Sequence, residues 1–246
     1  MKSRLWCTFG LVVILLGCGS VQRALASPLS VSGSSGTLSA SAQFTASGSD
    51  LIVTLTNTSP VDALVPADIL TALFFDITGA NPTLTPDSAV LGGASTVFFG
   101  GTDPGNVVGG EWAYAAGLSG APGGGDRGFG SAGFDFFGPM NLFPGTNLQG
   151  PVSPDGIQYG ITSAGDNPAI GNAAVTGDNA LIHNQVVFTL SGLPVGFDPA
   201  TQITNVFWQY GTAFDEPGFG VPEPASLALL ALGAGALLVS RRRRRS

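Results

Sequence analysis

The chain has 246 residues, of which 37 are glycine, and only 10% are charged. This composition is typical of short strands joined by many turns and argues against a helical protein, whose exposed faces need Glu, Lys and Arg. Eight of the nine basic residues lie near the two ends, so residues 27–221 carry one arginine against fifteen acidic side chains, a net charge of −14. Nucleic acid is excluded as a partner of such a surface, because binding to phosphates depends on clustered Lys and Arg.

Residues 1–26 have the organisation of a signal peptide. Two basic residues precede an apolar run over residues 5–17, and Ala24 and Ala26 supply the small side chains that signal peptidase reads. The pattern predicts that signal peptidase cleaves the chain before Ser27 and that the protein is exported.

A second interpretation of the same segment is a lipoprotein signal. Residues 15–18 read Leu-Leu-Gly-Cys, which would make Cys18 the lipidated first residue of the mature chain. Leu16 fits such a signal poorly, and the small residues further along would then be redundant. Cleavage before Ser27 instead removes both cysteines of the chain, so the mature protein would have no disulfide.

The body of the protein, residues 27–217, shows strand patterns throughout. Apolar and polar residues alternate from Leu38 to Ala46 and again from Leu51 to Leu55, on either side of a turn, which predicts a β-hairpin. Six further strands are predicted between clusters of Pro, Gly, Asn and Asp: Ile69–Ile77, Ala89–Phe99, Glu111–Ala116, Gly156–Ser163, Leu181–Leu190 and Ile203–Tyr210. The sequence therefore predicts an all-β fold, an antiparallel β-sandwich or jelly roll. A β-solenoid is the alternative, weakened because no repeat of fixed period is present.

The middle of the body, residues 117–138, is rich in glycine and low in complexity. Glycine weakens a strand, because it has no side chain to pack. We therefore expect a flexible surface loop here rather than a strand, covering an edge of the sheet or the mouth of a site.

No arrangement of residues in the body predicts catalysis. His183 is the only histidine and lies within a strand pattern without a Gly-x-Ser-x-Gly motif, so we expect a half-buried structural histidine. Asp215 and Glu216 are adjacent, but neighbouring side chains in a strand point to opposite faces and would not converge on a sugar. We expect this pair in a loop that closes the domain, and we expect no enzymatic activity.

The residue types also limit the metals that the mature chain could bind. One histidine and no cysteine remove the usual zinc and copper sites. Calcium remains an alternative, because aspartates are common in the loops, and the candidate ligands are Asp126 and Asp135. Residues 130–138 approach the calcium-binding nonapeptide pattern, but they lack its second glycine and occur once, which favours a plain turn. The sequence thus predicts no cofactor and an acidic surface that is simply solvated.

Two aromatic pairs have the spacing i, i+2, which places both rings of a pair on one face of a strand. Such rings pack into the core of a sandwich, and they can also stack on sugars. The core is the favoured interpretation for the two pairs, Trp112 with Tyr114 and Trp208 with Tyr210.

The C-terminal segment has three parts in a fixed order, after a predicted linker at residues 218–221. Pro222 and Pro224 disfavour helix in the residues before them, so Glu223 lies in an extended peptide in front of an apolar helix. That helix, residues 225–240, would span about 24 Å, which is short for a bilayer core of about 30 Å. A run of arginines then keeps the end of the chain on the cytoplasmic side: Arg241, Arg242, Arg243, Arg244 and Arg245.

The order of Pro222-Glu223-Pro224, a short apolar segment and a basic end resembles the C-terminal sorting signal of PEP-CTERM proteins, over residues 222–246. The resemblance implies processing by exosortase, a membrane-embedded cysteine protease. It further implies a Gram-negative bacterium that makes exopolysaccharide, transit through the inner membrane, and delivery to the cell surface or extracellular matrix. It implies nothing about the fold or activity of the body.

Two hypotheses of function follow. The first is an exported, non-enzymatic surface or matrix protein with a structural or adhesive role and exopolysaccharide as a partner. The second is a secreted domain that binds or cleaves carbohydrate, with the C-terminal segment serving transport only. A simple single-pass anchor that keeps the body in the periplasm is a further alternative.

Overall fold

The structure of the protein is a computed structural model, which describes residues 26–79, 81–137, 148–150 and 156–221. Strands dominate these residues, with four short 3₁₀ helices and one α-helical turn, α1 (Pro199–Gln202). The strands are β1 Leu29–Ser35, β2 Leu38–Ser47, β3 Asp50–Asn57, β4 Leu70–Ile77, β5 Thr85–Leu91, β6 Thr96–Phe98, β7 Ala113–Ala116, β8 Arg127–Gly130, β9 Ile161–Thr162, β10 Leu181–His183, β11 Gln185–Ser191, β12 Ile203–Tyr210 and β13 Gly218–Gly220. The 3₁₀ helices are Pro66–Asp68, Gly109–Glu111, Pro122–Gly124 and Ala173–Val175.

The described strands form two sheets. The five-stranded sheet has the order β1-β2-β3-β11-β5 and is antiparallel. The eight-stranded sheet has the order β13-β12-β4-β9-β10-β6, with β8 paired to β4 and β7 paired to β8. Because β9 and β10 run parallel, this second sheet is mixed. The all-β prediction is confirmed, whereas the antiparallel arrangement holds throughout only for the five-stranded sheet.

The strands with the clearest sequence patterns are confirmed. β2 and β3 form the predicted hairpin, with Ser47 opposite Asp50 at the turn. β4 and β12 match the predicted runs at residues 69–77 and 203–210. In each of these strands the apolar pattern alone marks the limits to within two residues.

The other predicted strands are shorter or divided. A turn closed by the hydrogen bond from Ser95 N to Gly92 O separates β5 from β6. Asn184, with φ of 91°, separates β10 from β11. Glu111 lies in a 3₁₀ helix before β7, and the run at 156–163 contributes only β9. Strand β1, which pairs with β2 along its whole length, was not predicted.

The two sheets face each other across one hydrophobic core. Phe44 of β2 contacts Phe75 of β4 with ring centroids 5.2 Å apart, and Phe188 of β11 stacks on Phe129 of β8 at 4.2 Å. Buried and half-buried residues alternate along β3 and β11. The outer face of the five-stranded sheet therefore faces solvent, as the period of two predicts.

The eight-stranded sheet is covered on its outer face as well. Every residue of β4 except Asp76 is buried, and on the outer side Phe74 packs against Phe136 and Phe137 in a second apolar cluster. The cover comes from residues 117–126 and 131–137 of the glycine-rich segment, which flank β8, whereas β8 itself lies in the sheet in register with β4. The prediction of a flexible surface loop without a strand is therefore wrong for this segment.

Glycine is what lets the segment lie so close to β4, at Gly128 within the sheet and at Gly125 just before β8. A Cβ on Gly128 would stand 2.5 Å from the carbonyl oxygen of Leu73, and one on Gly125 would stand 2.9 Å from the nitrogen of Phe75. Any larger residue would push the two backbones apart. The glycines therefore permit close packing between backbones, which is a known use of glycine in strands.

Both ends of the described chain leave the body at the same end of the sheets. The N–H of Ser27 donates to Asp198, which directly precedes α1 and the start of β12. The N–H of Val221 donates to the carbonyl of Val206, early in β12. Residues 218–221, predicted as a linker, instead continue the sheet through β13. The turn that joins β12 to β13 lies at the opposite end.

Candidate functional site

Strand β13 joins the folded body to the C-terminal segment. Its middle residue, Phe219, packs on the fully buried Trp208 with ring centroids 5.6 Å apart and on Tyr210 at 5.8 Å. The hydrogen bond from Val221 N to Val206 O, at 2.9 Å, extends the pairing one residue beyond the strand. The chain is thus held in the sheet up to its last described residue.

A family model for the PEP-CTERM protein-sorting motif matches residues 220–245, beginning at the last residue of β13. The chain carries a PEP-CTERM sorting motif. The resemblance found in Pro222-Glu223-Pro224 and the residues after it is confirmed by this match. The motif implies export, transit through a membrane and processing by exosortase. No curated protein and no solved structure matches the chain.

Most of the PEP-CTERM motif lies outside the described residues. These include the triplet, the predicted helix at 225–240 and the arginines 241–245. Within the described part of the chain, no helix combines the length and the apolar character needed to cross a bilayer. The PEP-CTERM assignment therefore depends on the sequence of the motif, and the structure contributes the geometry of its attachment to β13.

The predicted signal-peptidase site lies near the same end of the body as the PEP-CTERM motif. Ala24 falls outside the described residues, whereas Ala26 and Ser27 are described and precede β1. The Ser27 nitrogen lies 3.2 Å from Asp198 Oδ1, and this oxygen also accepts the N–H of Ala200 as the N-terminal cap of α1. Ser27 and Val221, the described residues next to the two predicted processing sites, thus both bond near the beginning of β12.

Asp126, the first calcium candidate, is engaged in an ion pair. Its two carboxylate oxygens accept hydrogen bonds from Arg127 Nε at 2.8 Å and Nη2 at 3.0 Å. The hydrogen bond from Arg127 lowers the pKa of the Asp126 carboxyl. Arg127 itself is 1% exposed and also donates to Asn81 Oδ1 and to the carbonyl of Pro82. This cluster has the properties of a structural ion pair at the beginning of β8.

Asp135, the second calcium candidate, lies at a different place, in the loop after β8. It is exposed, and it follows Phe134 in a pair of residues with positive φ, 50° and 62°. Together with Thr212, Ala213 and Phe214 the pair lines a surface groove of about 180 Å³. Among the described residues, no group of three His, Cys, Asp or Glu side chains could hold a metal ion.

The predicted acidic pair closes the turn between β12 and β13. Glu216 Oε2 accepts the backbone N–H groups of Thr212 and Ala213, so this carboxylate stabilises the turn. Asp215 is exposed beside it. The two side chains therefore do not share a substrate site, in agreement with the prediction of a closing loop.

His183 is half-buried in β10, as predicted. Its ring lies 4.9 Å from the ring of Phe98, and its Nε2 is 2.9 Å from the carbonyl of Ala164. No serine hydroxyl is among its hydrogen-bond partners in the described part of the chain. The histidine links β10 to the neighbouring loop.

The aromatic pairs belong to the core, which confirms the favoured interpretation. Trp112, Trp208 and Tyr210 are fully buried, and Tyr114 is half-buried against Phe129 at 5.4 Å. The hydroxyl of Tyr210 donates to the carbonyl of Ser39 at 2.8 Å, and burial raises its pKa. The three fully buried rings are therefore not accessible to a sugar. The groove aromatic Phe214 was missed, because a single phenylalanine in a turn has no pattern that distinguishes it.

Proposed function

We propose that the chain is an exported surface or matrix protein that exosortase processes at its C-terminus, and whose β-sandwich body has a structural or adhesive role without catalysis. The PEP-CTERM motif at residues 220–245 carries this proposal. The signal-peptide pattern of residues 1–26 supports it, because both ends then direct the same protein out of the cytoplasm. Exopolysaccharide is the expected neighbour of such a protein.

The placement of the chain ends supports an orientation for the form in transit. The end of the sheets where Ser27 and Val221 lie faces the inner membrane, while the arginines 241–245 stay on the cytoplasmic side. The turn between β12 and β13 then faces away from the membrane. Because Val221 is paired with β12, exosortase acts next to a folded sheet, and cleavage at the triplet leaves β13 in the body.

The test of this proposal is the intact mass of the protein recovered from cells with and without exosortase. We expect the chain from exosortase-positive cells to lack Arg241–Arg245, and the chain from the deficient strain to end at Ser246. A chain that ends at Ser246 in both strains would contradict the proposal and favour a permanent anchor. The N-terminal residue from the same measurement checks cleavage before Ser27.

A matched pair of variants tests whether exosortase recognises the Pro222-Glu223-Pro224 triplet. Glu223→Ala removes the acidic residue of the PEP-CTERM motif, and Asp215→Ala removes an exposed acidic residue a few positions earlier, in the turn before β13. We expect Glu223→Ala to accumulate the unprocessed mass and Asp215→Ala to be processed like the wild type. Equal processing of the two variants would show that the charge of the triplet has no role.

Carbohydrate binding is the second candidate function, and one observation favours it. Phe214 is 42% exposed in a groove that also contains the carboxylate of Asp135. An exposed aromatic ring beside a hydrogen-bonding group is a common means of holding a sugar. This candidate is compatible with sorting by exosortase, because it concerns the body and the opposite end of the sheets.

A further inference from the structure

The groove lies between the loop after β8 and the turn that joins β12 to β13. It has a volume of about 180 Å³ and is lined by Phe134, Asp135, Thr212, Ala213 and Phe214. Val221, the last described residue, bonds near the beginning of β12, whereas the turn that lines the groove follows the end of β12. The groove and Val221 therefore lie at opposite ends of the sheet. The groove is therefore directed away from a membrane that holds the C-terminal segment.

One wall of the groove is the ring of Phe214, which packs against two neighbouring rings. Phe214 stacks on the buried Phe134 with centroids 5.0 Å apart and planes 12° from parallel, and Phe136 contacts it at 5.4 Å. Glu216 fixes the backbone of the same turn by accepting two N–H groups. The ring is thus positioned by its neighbours while 42% of the residue remains exposed.

The other wall has a strained backbone that presents a carboxylate. Phe134 and Asp135 both have φ in the left-handed region, which is uncommon for residues other than glycine and costs conformational energy. Burial of the Phe134 ring offsets part of this cost. The result is an exposed carboxylate next to the Phe214 ring, with the Thr212 hydroxyl in the same lining.

We propose that this groove binds one uncharged sugar ring of a polysaccharide. A pyranose has a face of C–H groups, which stacks on the electron-rich face of an aromatic ring, and hydroxyl groups, which donate to a carboxylate. The volume is smaller than the 300–1,000 Å³ typical of drug-sized ligands and suits a single ring of a chain that continues into solvent. The net charge of −14 over residues 27–221 disfavours an anionic polymer. The inference rests on the proposed function, because export brings the groove into contact with such a polymer.

Affinity electrophoresis of the full-length chain in detergent tests the inference. Native gels contain one of four uncharged polymers (dextran, laminarin, galactomannan or arabinogalactan) or the anionic polygalacturonate, and retardation gives the dissociation constant. We expect retardation by at least one uncharged polymer and none by polygalacturonate. Absence of retardation by all four uncharged polymers, or stronger retardation by polygalacturonate, would overturn the inference.

Three variants locate the binding. Phe214→Ala removes the stacking ring and is expected to raise the dissociation constant about tenfold. Asp135→Asn removes the charge but keeps a residue that tolerates positive φ, so it is expected to weaken binding about threefold without unfolding the loop. Phe99→Ala, a ring 47% exposed outside the groove, is the matched control and is expected to bind like the wild type.

Thermal melting of each variant separates loss of binding from loss of fold. If Phe214→Ala melts early, Asp135→Asn and the more conservative Phe214→Leu decide the result. Wild-type binding by both Asp135→Asn and Phe214→Leu would refute the proposal that the groove binds the sugar. A loss of binding in Phe99→Ala as large as that in the groove variants would refute it as well. Exosortase processing is expected to be unchanged in all variants, so a failure of sorting and a failure of sugar binding are distinguishable.

Discussion

Strand β3 of the five-stranded sheet and strand β4 of the eight-stranded sheet bury very different surfaces. Along β3 buried and half-buried residues alternate, because one face packs on the core and the other faces solvent. Along β4 both faces are buried, since residues 117–126 and 131–137 cover the side that faces away from the core. A strand with apolar residues on both faces needs a covering layer on the face that points away from the core, and here the glycine-rich segment supplies this layer.

The test with the largest expected effect compares substitutions on the outer faces of the two sheets. Phe74→Ala empties a fully buried site beneath the cover and is expected to lower the free energy of unfolding by about 3–5 kcal/mol. Gln43→Ala, on the exposed face of β2, is expected to change it by less than about 0.5 kcal/mol. Chemical denaturation of the full-length chain measures both. Similar small losses would mean that the cover does not exclude water from Phe74.

The second test concerns the close approach of β8 to β4. Gly128→Ala places a Cβ against the carbonyl oxygen of Leu73, which cannot move without distorting β4, and we expect a loss of about 3 kcal/mol. Gly101→Ala is the control, because nothing lies within 4 Å of its added Cβ. Equal unfolding free energies for the two variants would show that the backbones are not in close contact.

The third test addresses the ion pair at the beginning of β8. Asp126→Asn leaves the buried guanidinium of Arg127 with weaker acceptors and is expected to cost about 1 kcal/mol, because the carboxylate is 40% exposed and screened by solvent. Asp178→Asn, at an exposed position, is the control.

The pH dependence of the same pair has a defined sign. The pKa of Asp126 is lower in the folded protein than in the unfolded chain, so its stabilising effect is present above the unfolded value of about 4 and disappears as the pH falls through the folded value. The stability difference between wild type and Asp126→Asn should then be constant at neutral pH and shrink below about pH 4. A difference that grows on acidification would contradict the ion pair.

The smallest expected effect lies where β1 begins. Cleavage before Ser27 would convert the N–H that bonds Asp198 into a charged α-amine, and an exposed ion pair of this kind contributes up to about 1 kcal/mol. Since it requires a protonated amine, the contribution is expected below about pH 8 and lost above it. Melting curves of the processed protein before and after N-terminal acetylation measure it. Asp198→Asn should remove the difference, and a difference that persists in this variant would have another origin.

Local patterns were sufficient for part of the fold and for the sorting motif. The alternation in β2 and β3 and the long apolar runs of β4 and β12 depend on which face is buried, and the order of residues carries that information directly. The PEP-CTERM motif is likewise a short linear signal, in which Pro222, Glu223 and Pro224 precede an apolar run and arginines. For these elements composition, period and order are physical properties of the chain itself, so the sequence determined them.

Only the tertiary structure decided how the glycine-rich segment and the groove are built. Glycine permits both a flexible loop and the close approach of two backbones, and the choice at Gly128 depends on the facing residues of β4. The juxtaposition of Asp135 with Phe214 likewise requires β8 and β12 to flank β4 on its two sides, although the two residues are far apart in sequence. Such contacts depend on which strands become neighbours, and a local pattern of residues does not contain that information.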